Sequence, residues 1–143
     1  MKHQNIRDTL VTIAKVPFHF VEASPAFRSW LRDLQCDTEV EEMLCACLVD
    51  TCEIIGELFE MNESAIMERT SRVCGFGVSG FIAIGTIPNG DIILLSSRDG
   101  SMHALEHELL PDEANMHKIF DCFLDVLNAT IVYLAKHDEN QEE

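Results

Sequence analysis

A chain of 143 residues in which 25 Asp and Glu face 10 Lys and Arg has a net charge of −15; such a chain repels nucleic acid and anionic lipid and attracts cationic partners. With 47% hydrophobic residues it can bury a core as a single domain, and it contains no run of about 18 apolar residues that could cross a bilayer. The first fifteen residues, MKHQNIRDTLVTIAK, are amphipathic rather than a charged head with a greasy core, so no secretory leader is read and a cytoplasmic location is expected.

Ile6, Leu10, Ile13 and Ala14 stand at helical spacing, which predicts a helix over residues 4–15 that ends before Val16-Pro17. Phe18, Phe20 and Val21 fit a short strand or an apolar linker equally well. Ser24-Pro25 is a helix start, a hydroxyl cap followed by proline at the first helical position, and Phe27, Trp30, Leu31 and Leu34 form its apolar stripe, with Trp30 as an expected core anchor. The run VEEMLCACLV over 40–49 is ambiguous between buried strand and helix, but a capping box at Asp50 and Glu53 favours strand followed by helix. That helix would carry Cys52, Ile55, Leu58 and Phe59 on one side through Met61, and a second would follow over Asn62–Arg72 with Ser64 as its cap.

Gly80 to Glu108 holds three extended apolar runs separated by Pro88-Asn89-Gly90-Asp91 and Arg98-Asp99-Gly100. Asn-Gly tolerates the positive φ of a type I′ turn, and Asp-Gly offers a second turn with Gly left-handed, so an antiparallel meander is expected at about 81–107. Met116, Phe120, Phe123, Leu127, Ile131 and Leu134 then recur at helical spacing, which predicts a long last helix over about 112–136. DENQEE at 138–143 has nothing apolar to bury and reads as an acidic tail. The expectation is one α+β domain over 1–137, an antiparallel or mixed sheet covered by helices.

The chemical motifs are weak. Gly75, Gly77 and Gly80 match a dinucleotide-binding spacing, but that site needs a strand before the glycines and a helix after them, and here the order is reversed. His103 and His107, with Glu106, could hold a metal if helical; on a strand the histidines lie about 13 Å apart at roughly 3.3 Å per residue, too far for one ion. Cys36, Cys45, Cys47, Cys52, Cys74 and Cys122 lack paired zinc-site spacing and are expected as reduced thiols. Ser79 is not on a nucleophile elbow. No cofactor, metal or catalytic residue is assigned.

The order of Phe81-Ile82-Ala83-Ile84-Gly85-Thr86, then Gly90-Asp91 before an apolar strand, then Gly100-Ser101-Met102-His103 with Glu106-His107, and last Ile119-Phe120-Asp121-Cys122-Phe123-Leu124, resembles the SUKH superfamily over about residues 80–135. Met102-His103 departs from the family's usual Val-aromatic pair. The resemblance implies an α+β fold with helices on a sheet. It also implies an immunity protein that neutralises a polymorphic toxin, such as a basic nuclease, by stoichiometric binding. No Lys or Arg occurs from Gln35 to Glu68, and Glu39, Glu41, Glu42, Glu53, Glu57, Glu60 and Glu63 within that stretch are the expected partner-binding residues. Two other functions fit the same sequence: an acidic dimeric export chaperone for a secreted effector, and a small metal-dependent enzyme using His103 and His107.

Overall fold

The computed structural model describes residues 3–56, 58–75, 77–87, 90–106 and 116–141, with side chains to 136. Helix α1 (Gln4–Ile13) buries Ile6, Leu10 and Ile13, and the extended Ala14 ends it ahead of Pro17. In α2 (Pro25–Asp33), Ser24 caps as the sequence predicts, its hydroxyl accepting from the Phe27 amide at 3.1 Å. Phe27 and Leu31 are fully buried, whereas Trp30 is half-buried and leans on Phe27 with 5.5 Å between ring centroids.

Residues 38–61 depart from the sequence expectation. Thr38–Ala46 forms a helix, α3, not a strand. Asp37 starts it by accepting from the Glu39 amide, and Val40, Leu44 and Cys45 supply the buried side. The helix expected over 52–61 is absent, because the chain turns at Gly56, whose φ is +61 and whose Cβ would lie 2.8 Å from Ile13 Cδ1. Leu58 to Glu60 instead runs as a ribbon along the next strand. Helix α4 (Glu63–Gly75) follows, and its cap is Asn62, whose Oδ1 accepts from the Ser64 and Ala65 amides, rather than Ser64 itself.

The meander forms as expected and gains a fourth strand. Strands β1 (Phe81–Thr86), β2 (Ile92–Ser96), β3 (Met102–Leu105) and β4 (Met116–Phe120) pair antiparallel in sequence order. The first hairpin closes with the Gly90 amide donating to the Ile87 carbonyl, Gly90 at φ +102; Asn89 lies outside the described residues. Gly100, at φ +75, closes the second. Met116–Phe120 therefore belongs to the sheet, because Met116 to Lys118 lie opposite Leu105 to His103, and the last helix, α5, begins only at Phe123. It continues to Gln141, so part of the expected tail is helical.

Sheet alternation divides the interior in two. Ile82, Ile84, Ile93, Leu95 and Met102 face the large core with α1, α2, α3 and α5, where Phe59 meets Phe123 edge to face at 5.5 Å. Ala83, Leu94 and Leu105 face a smaller cluster with Val73 and Val78. The outer edge of β1 is covered: the Thr86 amide donates to the Leu58 carbonyl, the Glu60 amide to the Ile84 carbonyl, and the Ala83 amide to Thr70 Oγ1. Gly85 is required where the ribbon crosses, since a Cβ there would sit 2.0 Å from the Leu58 carbonyl oxygen.

Candidate functional site

Carboxylates dominate the surface chemistry, and the seven expected in partner binding separate into different environments. Glu41 is buried on α3 and accepts from Arg32 Nε at 3.1 Å. Glu60 is mostly covered and bonded to the guanidinium of Arg69. Glu63 accepts from both the Ser24 amide at 3.0 Å and the Ser24 hydroxyl at 2.7 Å, joining the start of α4 to that of α2. These three hold the fold together. Glu39 and Glu42, three apart on α3 and so neighbours on its surface, are exposed, as is Glu53 in the loop that follows. Glu57 lies outside the described residues.

His103 is built into a polar network on the sheet. It lies on β3 between Leu94 and Lys118 as cross-strand partners, half-buried, with its ring edge-on to Phe81 at 5.0 Å. Ser101 Oγ donates to Asp99 Oδ1 at 2.6 Å, a separation that requires the proton to lie between hydroxyl and carboxylate. The hydroxyl therefore accepts from His103 Nε2, 2.9 Å away, which fixes the Nε2–H tautomer. The bonds of Ser101 hold the Asp99 carboxyl down at about 2, while burial, chiefly, pushes the His103 pKa below its ordinary value; Asp99 opposes that shift, and Lys118 and His117 reinforce it. A nucleophilic triad places histidine between carboxylate and hydroxyl. Here serine is in the middle and its proton is already given to Asp99, so the hydroxyl is a bridge and not an activated nucleophile.

His107 lies outside the described residues, and among those described no three His, Cys, Asp or Glu side chains are grouped to hold an ion. The six cysteines are free thiols. Burial, with the nearby Glu41 and Asp37 carboxylates, pushes Cys36 up to about 12, and burial alone raises Cys47 to about 12, so neither supplies a thiolate at neutral pH. Gly75 ends α4, Gly77 and Gly80 have positive φ, and Phe81 begins β1, so a strand rather than a helix follows the glycines. No helix N-terminus is there to receive a pyrophosphate. No helix among the described residues is long and apolar enough to cross a membrane.

One apolar concavity was not anticipated from the sequence. A groove of about 430 Å³ lies between α5 and the sheet, lined by Leu58, Ile87, Ile93, Ile119, Val126 and Tyr133 among others. Its signal, apolar residues on two sides of the last helix, was hidden because Ile119 and Phe120 were counted as helical when they belong to β4. Comparison of the chain with protein-family models, curated proteins and solved structures finds no match.

Proposed function

We propose that this chain is a non-enzymatic protein-binding module, of the kind the SUKH resemblance implies, that neutralises a basic toxin domain by forming a stoichiometric complex. The observation that carries the reading is the placement of Glu39, Glu42 and Glu53 at the surface of a stretch with no Lys or Arg from Gln35 to Glu68. Exposed carboxylates in that setting attract a phosphate-gripping surface and steer it over distances of about 8 Å at physiological ionic strength. Catalytic chemistry has little support beside this, since the Ser101 hydroxyl is engaged by Asp99 and His103 as a bridge and the Cys36 and Cys47 thiols are held protonated. The direct test is titration calorimetry with any toxin domain that a neighbouring gene is found to encode, together with an assay of that toxin's activity. A one-to-one complex that abolishes the activity supports the reading; a toxin that stays active at saturating concentrations of this chain contradicts it.

The export-chaperone reading gains from one observation, the apolar groove along α5, which an unfolded segment of an effector could occupy. Co-purification of an effector held in extended form, with its toxicity unaffected, distinguishes that role from neutralisation. The metal-enzyme reading is tested by elemental analysis of the purified chain and its His103→Ala variant.

A further inference from the structure

The two edges of the sheet are finished differently. The outer edge of β1 is covered by the ribbon at Leu58 to Glu60 and by Thr70, whereas β4 is last in the strand order and, among the described residues, pairs only with β3. None of its five residues is fully buried, so little apolar surface resists its opening. The ladder that holds it is interrupted, with a register shift between Met102 and His103 where Phe120 and Lys118 lie opposite. His103 and Lys118 are direct cross-strand partners and share one face of the sheet. The hollow around that pair is lined by Phe81 from β1, Ser96 from β2, Arg98 and Asp99 from the turn after it, and Met116 from β4.

Charge at this place is balanced at neutral pH and unbalanced in acid. With His103 neutral, the cations are Lys118, bonded to Asp121 at 2.7 Å, and Arg98, which shares the hollow with Asp99. Below the ordinary histidine range His103 and His117 become cations as well, against the same two carboxylates, because Asp99 is held at about 2 and stays ionised. The Asp99 carboxylate offsets only part of the new charge, since it already accepts from the Ser101 amide and hydroxyl. The charge on His103 stands directly opposite that on Lys118, and like charges so placed weaken a strand pair. Elsewhere in a chain of −15, gaining a proton relieves repulsion, and at His19, whose Nδ1 lies 3.2 Å from Asp50, it strengthens a bond. The β3–β4 pair is built the other way. We propose that β4 is an acid-released edge strand: protonation of His103, opposite Lys118, frees Met116–Phe120 from β3 while β1, β2 and β3 stay paired. Release bares the edge of β3 and parts Ile119 from the groove along α5. The device does not depend on which partner the chain binds.

The test is amide hydrogen exchange of the full chain between pH 7 and pH 5, read by NMR and corrected for the intrinsic pH dependence of exchange. The expected result is a fall of about threefold or more in the protection of the 116–120 amides, with that of the 81–96 amides unchanged. His103→Gln, which keeps a donor for Ser101 and gains no charge, abolishes the fall. Lys118→Gln, at an exposed position, removes the opposed charge, leaves His103 free to titrate and reduces the fall; it decides the matter if His103→Gln unsettles β3. His117→Gln leaves most of the fall, because that residue lies opposite Ala104 and not opposite His103. Unchanged protection of 116–120 between pH 7 and pH 5 overturns the inference, as does an equal fall in every strand, since acid then acts on the whole fold. A fall that persists undiminished in His103→Gln, or one abolished by His117→Gln alone, overturns it too.

Discussion

Glu63 and Glu53 lie ten positions apart in the same acidic stretch and do opposite things. Glu63 receives two hydrogen bonds from Ser24, 39 residues away, and ties two helix starts together; Glu53 is exposed in the loop after α3, where its own amide is anchored on Thr51. Exposure likewise separates the buried Glu41 and the mostly covered Glu60 from Glu39 and Glu42, which lie at the surface. A count of acidic residues treats all of them as one surface, but a carboxylate satisfied inside the fold contributes to stability and little to a long-range field. What remains for recognition is a smaller set, and variants that separate stability from association can test the division.

The largest effect is expected where the ribbon that carries Glu60 crosses β1. Gly85→Ala places a methyl group against the Leu58 carbonyl, and overpacking against backbone costs about 3 kcal/mol or more, read as a lowered midpoint in urea unfolding. Little change there would mean that Leu58–Glu60 does not lie on β1, and Glu60 would return to the candidate surface. Glu63→Ala removes two charge-assisted bonds from the α2 cap and is expected to cost about 2 kcal/mol in the same measurement. An effect no larger than that of an exposed Glu→Ala would place Glu63 with the recognition set.

A third, smaller effect concerns His103. Its folded pKa lies below the ordinary 6.5, so the folded state holds fewer protons than the unfolded chain, and the associated stability is present above pH 6.5 and lost as pH falls toward the lower folded value. Asp99, held at about 2 against 3.8, adds a further loss only below pH 4. Unfolding midpoints measured across this range should fall more between pH 7 and 5 for the native chain than for His103→Gln. Equal slopes would show that burial on β3 does not hold the imidazole neutral.

The meander was legible in the sequence because its determinants are local: Gly90 and Gly100 take the positive φ their turns need, and strands of one apolar character flank them. The start of α2 was legible for the same reason, with hydroxyl and proline adjacent. Helix α3 was not, since VEEMLCACLV is apolar enough for either state and the deciding group, Asp37, precedes the run. Strand β4 was missed because Met116 and Phe120 share a spacing that continues through α5, and only pairing with β3 shows that the helix has not yet begun. The division among the carboxylates was beyond local reading altogether. Glu63 meets Ser24 and Glu60 meets Arg69 only after the chain folds, and a charge pattern has no term for a partner 39 positions away.

The central proposal is that the exposed Glu39, Glu42 and Glu53 act in association. The most direct measurement is a stopped-flow series over ionic strength with a basic nuclease domain as the partner, taken from a neighbouring gene where one is found to encode it, comparing the native chain with a Glu39→Lys, Glu42→Lys, Glu53→Lys variant whose stability is expected to stay within about 0.5 kcal/mol. The account predicts association at least about tenfold slower for the variant at low salt and a nearly flat salt dependence, against a steep one for the native chain. Equal rates and equal salt slopes in the two proteins would contradict it.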